Sequence, residues 1–357
     1  MSQTRGPIEE HTPKLLWDLG TAYDLFVSLE VLHHPEEFGL RASWAAGVRS
    51  RISPDERKVL EDANLILHVP LPWINSLPEP KDSATVLWTL SKISPAERLP
   101  EIAICCEMPD ELAERLREVA GRRAWNDGDI DALRAVYKQK KHHLQPEMYT
   151  TILDWWARPD EFGEAFLVAL RSYHQVFFAE EELRIRPALE QAQLRAQELA
   201  GKATIADLIE LLSLGVRFNL PAEISELVLA PSYWSTPLII FGDAGPQRMI
   251  ITYGARPADA SLIPGEIVPD ALLQVLKALA DPTRLRILRY LSTEPLNPAQ
   301  LSRRLRLRSP TVVHHLSELR LAGLVHVHLG EGGEKSYTVR EEMLKDTSKI
   351  LEDFLSP

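Results

Sequence analysis

The stretch SPTVVHHL, residues 309–316, sets two histidines side by side near the end of a 357-residue chain. Imidazoles can bind a metal, move a proton or hydrogen-bond to a partner. Adjacent residues on a helix diverge by about 100°, whereas zinc-binding pairs on one helix are spaced by three or four. His314 and His315 are therefore poorly placed to grip one ion. No nucleophile or carboxylate constellation accompanies them for catalysis. If the segment is helical, Val312, Leu316 and Leu319 share one face and must be buried. His314 then points away from that face, with Pro310, Val313 and Ser317, while His315 lies on the flank.

Ser309, Thr311, His314 and Ser317 make a polar face of the kind that fits base edges in a DNA major groove. Arg303, Arg304, Arg306 and Arg308 crowd the residues before it, and Arg320 and Lys335 follow, where phosphates would pass. The blander readings are a solvated arginine surface, Ser309 as a helix cap and Arg284 as a brace for its own helix. Charge is distributed unevenly. Residues 277–320 hold nine Lys/Arg against three Asp/Glu, although the chain carries −11 overall and −13 before residue 270. A polyanion would be drawn to one short segment and repelled by the rest.

The elements that must position these side chains are punctuated by proline. Asp281-Pro282, Asn297-Pro298 and Ser309-Pro310 each pair a capping residue with a proline suited to a first helical turn. Leu272, Leu273, Leu276 and Leu279 stripe a preceding helix, and Leu285, Leu288 and Leu291 are expected to be the buried side of the next. Leu301 and Leu305 face inward on the third, and Gly323 closes the fourth. LVHVHL and KSYTV alternate like strands around the glycine-rich GEGGE, and EEMLKDTSKILEDFL is a last helix. Helices, a short turn and a hairpin in this order make a winged helix-turn-helix.

LADPTRLRILRYL followed by LNPAQLSRRLRLRSPTVVHHLSELRLAGLV resembles the ArsR-type winged-helix repressors, over about the last quarter of the chain. The resemblance implies a homodimer joined through the first and last helices of the domain, bound to a palindromic site in double-stranded DNA. On that basis Leu272, Leu276, Leu344, Leu351 and Phe354 are the candidate dimer contacts, supported by Ile350 and Leu355. Packing of the last helix on its own chain is the alternative. The family's serine before the histidine pair is Val313 here, so its operator cannot be carried over. Residues 297–305 and 341–355 contain no Cys or His, so metal sensing is not supported and no metal or cofactor is expected. The wing is acidic at Glu331 and Glu334, which weakens it as a phosphate clamp.

The fold class expected is mainly α (α+β). A helical N-terminal domain over 1–255 ends in a small antiparallel sheet at about 217–255, a linker covers 256–269, and the winged helix-turn-helix covers 270–357. SPDER and SPAER read as capping boxes at Ser53 and Ser94, and Pro187 should kink or end a helix. Two functions for the N-terminal part compete. One is a sensing and dimerising domain that binds a small-molecule effector in a pocket lined by some of Trp17, Trp44, Trp73, Trp88, Trp155 and Trp156. The other is an enzyme fused to a DNA reader, against which stands the lack of GxGxxG, P-loop, HExxH, GxSxG and CxxC patterns. His33-His34, His142-His143 and the run Glu180, Glu181, Glu182 read as surface or helix-end residues. Cys105 and Cys106 read as small apolar residues rather than a redox pair. With no long apolar run and no secretory signal in MSQTRGPIEEHTPK, the expectation is a cytoplasmic, non-membrane, non-catalytic regulator.

Overall fold

LVLAPS and MIITY are apolar along almost their whole length, so strands made from them must be covered on both faces. A computed structural model describes residues 12–104, 108–139, 144–262, 268–330 and 333–355. Cys105, Cys106, His142, His143 and Glu331 lie outside these. The described strands are β1 (Lys14–Trp17), β2 (Val216–Phe218), β3 (Glu226–Ser232), β4 (Ile240–Asp243), β5 (Arg248–Gly254), β6 (Val325–Leu329) and β7 (Lys335–Val339). The rest is mainly helical.

The first sheet has the order β1-β3-β5-β4. Val228, Ala230 and Ile250 face a large helical core that includes Phe26, Trp156 and Phe166. Leu227, Leu229, Ile251 and Tyr253 face the other way, onto helices Ala179–Ala200 and Ile205–Leu212. The antiparallel sheet expected at 217–255 is corrected on two points. β1, β3 and β5 run parallel and only β4 is antiparallel, to β5. The edge strand β1 comes from the other end of the chain. Helices on both faces provide the long crossovers that parallel pairing requires. Asp24, on the almost wholly buried helix Thr21–His33, closes the end of β3 by accepting hydrogen bonds from Ser232 Oγ and the Tyr233 and Trp234 amides.

Local signals fared unevenly. Ser53 and Glu56 form the expected capping box, whereas Ser94 starts its helix without a side-chain cap. Pro187 does not end its helix. Ala179–Ala200 runs through it, continuous with Pro159–Tyr173 by way of a π-helical turn at His174–Phe178. Burial of Ile185 and Leu189 on either side holds the helix across the missing hydrogen bond.

The C-terminal part follows the expected order. Helices Asp270–Leu279, Pro282–Leu291, Pro298–Leu305 and Ser309–Leu321 surround a separate core and lead into the β6–β7 hairpin and helix Glu341–Leu355. Asp281 caps through the Arg284 amide, and Asn297 forms a capping box with Gln300. Leu285 departs from its expected buried stripe and is exposed, the inward positions being Ile287, Leu288 and Leu291.

This part is not free of the N-terminal lobe. β2 pairs in parallel with the outer edge of β6, so the hairpin becomes a three-stranded sheet, β2-β6-β7. The Val327 amide donates to Gly215 O at 2.9 Å, and Gln274 donates to Gly39 O at 2.8 Å. Gly39 has φ +76, and a Cβ there would stand 2.3 Å from the Gln274 amide nitrogen. Residues 256–262 are tied down as well. Arg256 Nη2 donates to Thr236 O at 2.9 Å, and the Leu262 amide donates to Asp270 at 2.8 Å.

Arg320 adds a buried charged contact. Its guanidinium donates to Ser213 O at 2.7 Å and Pro237 O at 3.1 Å. Replacing it with methionine leaves both carbonyls without that donor. Arg320→Met is expected to cost about 1–3 kcal/mol in chemical denaturation. A change within about 0.5 kcal/mol, the usual size for a surface substitution, would mean that these bonds do not hold the two parts together.

Candidate nucleic-acid interface

Helix Pro298–Leu305 ends at Arg306, which takes a left-handed conformation at φ 56. Ser302 secures the turn by donating to Leu307 O at 2.5 Å. The next helix starts with Arg308 as its N-cap residue, so Ser309 is the first helical residue and not the cap. Val312, Leu316 and Leu319 are fully buried. Gly323, at φ +67, turns the chain into β6.

Away from the buried stripe Thr311, Val313, His314 and Ser317 are exposed, as is Ser309 at the start of the helix. The Ser317 hydroxyl donates to Val313 O at 3.1 Å, which leaves its lone pairs to accept from a partner. His315 is half-buried, and burial holds its imidazole below the usual histidine range. The two rings lie 5.9 Å apart. Among the described residues no group of three or more His, Cys, Asp or Glu side chains is placed to hold a metal ion.

Arg303, Arg304, Arg306, Arg308 and Lys335 are all exposed. Arg304 is partly committed, to Glu294 at 2.7 Å and over the Tyr290 ring. Arg320 is a correction. It is buried against Ser213 O and Pro237 O and so does not reach a phosphate in this arrangement. Helical spacing carried a signal for this: residues 312, 316 and 320 follow each other by four, on the edge of the buried stripe. Arg284 braces the end of the preceding helix, through Ala278 O and Lys277 O, and not its own.

Of the candidate dimer residues, Leu272 is corrected because it is buried within its own chain. Leu276 and Phe354 are exposed, and Leu344 and Leu351 are half-buried.

A cleft of about 810 Å³ is bounded by the C-terminal half of helix Ser309–Leu321, the β2-β6-β7 sheet and the N-terminal lobe. His314, Ser317 and Lys335 line one side, and Glu36, Glu37 and Phe241 line the other. Nothing in residues 35–39 of the sequence signals that Glu36 and Glu37 will face this cleft. Phe241 stacks on Phe218 of β2, so the wall is continuous with the strand added to the hairpin.

The tryptophans do not gather around one pocket. Trp156 lines an apolar cavity of about 450 Å³, Trp44 stacks on Trp234, Trp155 donates to Asp62 and Trp88 is exposed. A serine–histidine pair does occur in the lobe, with Ser83 Oγ 3.0 Å from His174 Nε2. Its carboxylate, Glu182, bonds Ser83 and lies on the Nε2 side, whereas a catalytic triad places the orienting acid on Nδ1. Ser83 is also buried, which suits a structural polar contact.

His326, on β6, is buried where the lobe meets the hairpin. Glu210 at 3.3 Å and Glu342 at 3.4 Å face it, together with Arg217 and Arg340. Burial, aided by Arg217, outweighs the carboxylates and holds the imidazole below the usual ~6.5. The unfolded chain therefore takes up the proton first, and stability present above about pH 6.5 is lost as pH falls below it. Denaturation midpoints should fall from about pH 7 to 5.5, and less steeply in His326→Phe. Equal slopes in both proteins would remove His326 as the cause.

A family model described as a helix-turn-helix domain matches residues 279–328, from the end of the striped helix into β6. Among curated proteins, no relative matches the chain. No helix among the described residues is long and apolar enough to cross a membrane. The C-terminal part thus carries a helix-turn-helix domain, a DNA-binding fold of transcription regulators.

Proposed function

We propose that the protein is a homodimeric transcriptional repressor of ArsR type that reads a palindromic operator with helix Ser309–Leu321. In this reading the N-terminal lobe senses an effector and has no catalytic role. The observation that carries it is the exposed polar face of Ser309, Thr311, His314 and Ser317, beside Arg303, Arg304, Arg306, Arg308 and Lys335. Polar donors and acceptors on one side of a helix specify bases, and cations around them position the duplex. Leu276, Leu344, Leu351 and Phe354 supply the dimer surface. A cytoplasmic location suits such a regulator.

The docked lobe restrains DNA binding. A duplex that seats the recognition helix and touches Lys335 on the hairpin must enter the cleft walled by Glu36 and Glu37. Carboxylates there repel phosphates, and the wall competes for the same space. Undocking opens the cleft, and an effector that favours docking relieves repression.

DNA binding by the full chain tests the reading. Affinity for its selected operator should fall steeply with salt, each phosphate contacted adding about −0.9 to the log–log slope. His314→Ala should lower affinity for the operator more than for random duplex, by about 1–3 kcal/mol. A salt-independent affinity would sink the arginine assignments, and equal losses on both duplexes would make His314 a positioning residue. Glu36→Gln/Glu37→Gln should tighten binding at low salt, and unchanged affinity would remove the acidic wall from the account.

A further inference from the structure

A second cavity, of about 350 Å³, lies in the seam between the lobe and the helix-turn-helix part. Leu199, Leu211 and Pro237 line it from the lobe, and Ala271, Met343 and Ile350 from the other part. Gly39, Leu40, Gln274 and Leu321 line both this cavity and the acidic cleft, so the two adjoin. It sits at the carboxyl end of the parallel strand β5, the end at which open sheets with helices on both faces bind ligands.

Two of its polar groups are incompletely paired. Tyr253, the penultimate residue of β5, is 1% exposed, and its hydroxyl has no hydrogen-bond partner among the described residues. Buried hydroxyls are nearly always paired, so this one calls for an acceptor or donor that the chain does not provide. Arg256 is buried, with Nη1 3.4 Å from Asp270 but not aligned for a hydrogen bond. Burial holds its guanidinium below the ordinary range in spite of Asp270. Arg195 is exposed at the lining, and Arg340 also lines it, with Nε 3.7 Å from Glu342 and Nη1 donating to Leu214 O at 3.5 Å. Among the described lining residues Asp270 is the single acid, and it lies beside Arg256.

We propose that the seam cavity binds a small organic carboxylate with a compact apolar body, its acid group taken by Tyr253 and the arginines. The volume is at the lower end of ligand pockets, about 300–1,000 Å³, which excludes large cofactors. The apolar walls disfavour inorganic phosphate, and the arginines disfavour amines. Such a ligand touches both walls, so it stabilises the docked arrangement and keeps Glu36 and Glu37 beside the DNA-reading face. This consequence for DNA rests on the regulator reading above; binding of the acid does not.

The experiment uses the full chain with octanoate, decanoate and 4-phenylbutyrate, each beside its matching alcohol. Binding is read by calorimetry and tryptophan fluorescence without DNA. At least one acid should bind at millimolar concentration or tighter, and its alcohol at least about tenfold more weakly. Tyr253→Phe removes a hydroxyl that the chain itself leaves unpaired. It should keep or raise the melting temperature of the unliganded protein while weakening the acid about tenfold. Arg195→Gln, at an exposed position, should also weaken it. The cavity assignment falls if no acid binds, if the alcohols bind as well, or if Tyr253→Phe binds the acid unchanged because only a buried water met that hydroxyl. A parallel gel shift separates the two ideas. Acid that binds in this pattern while no DNA is bound in any state upholds the cavity and overturns the regulator reading. Salt-dependent DNA binding with no acid bound does the reverse.

Discussion

Burying a guanidinium away from any carboxylate is costly, and Arg320 is held in that way where the helix-turn-helix part meets the lobe. Burial, with Arg340 nearby, pushes its pKa down to about 10, so it stays charged at neutral pH. Two lobe carbonyls take the place of water at Nη2, while Nη1 has no hydrogen-bond partner among the described residues. Because Arg320 belongs to the same helix as His314, the orientation of the polar face relative to the lobe is set through this contact. The cleft, the seam cavity and the strand added to the hairpin all lie around that fixed joint.

The hairpin edge gives the joint its second component. An unpaired strand edge offers amides and carbonyls to any passing strand. Here β2 occupies the outer edge of β6, in a register that runs Phe218 alongside Leu329, close to the hairpin tip. The opposite side of the hairpin is closed by Leu296, which exchanges backbone hydrogen bonds with Tyr337. The sheet is therefore shared between the two parts of the chain, and any separation of them breaks backbone hydrogen bonds as well as the Arg320 contact.

Charge makes the same joint sensitive to a polyanion. The residues before 270 carry −13, and the segment 277–320 is basic. In the proposed reading the acidic lobe competes for the surface that phosphates would use, with Glu36 and Glu37 lining the cleft. Hydrogen bonds, strand pairing and long-range charge favour docking, and in the reading proposed above DNA opposes it. A balance of this kind can be moved by a modest ligand affinity, provided the ligand touches both sides.

The helix-turn-helix frame was legible in the residues because its signals are local. Asp281 and Asn297 cap the helices they precede, and Val312, Leu316 and Leu319 recur at helical spacing, so one stretch of chain carries its own instructions. The exposure of Thr311, His314 and Ser317 follows from the same spacing, whereas Ser309, in line with Val312 and Leu316, is exposed because it opens the helix. What tertiary structure alone decided is long-range. Three or four strand-like residues do not name their partner, so neither the parallel pairing of β1 with β3 nor that of β2 with β6 was readable. The inward turn of Arg320, the acidic wall of Glu36 and Glu37, and the unpaired Tyr253 hydroxyl in the seam depend on surfaces that meet only when segments far apart in sequence fold together. Periodicity fixes which side of an element is buried, and only packing decides what covers it.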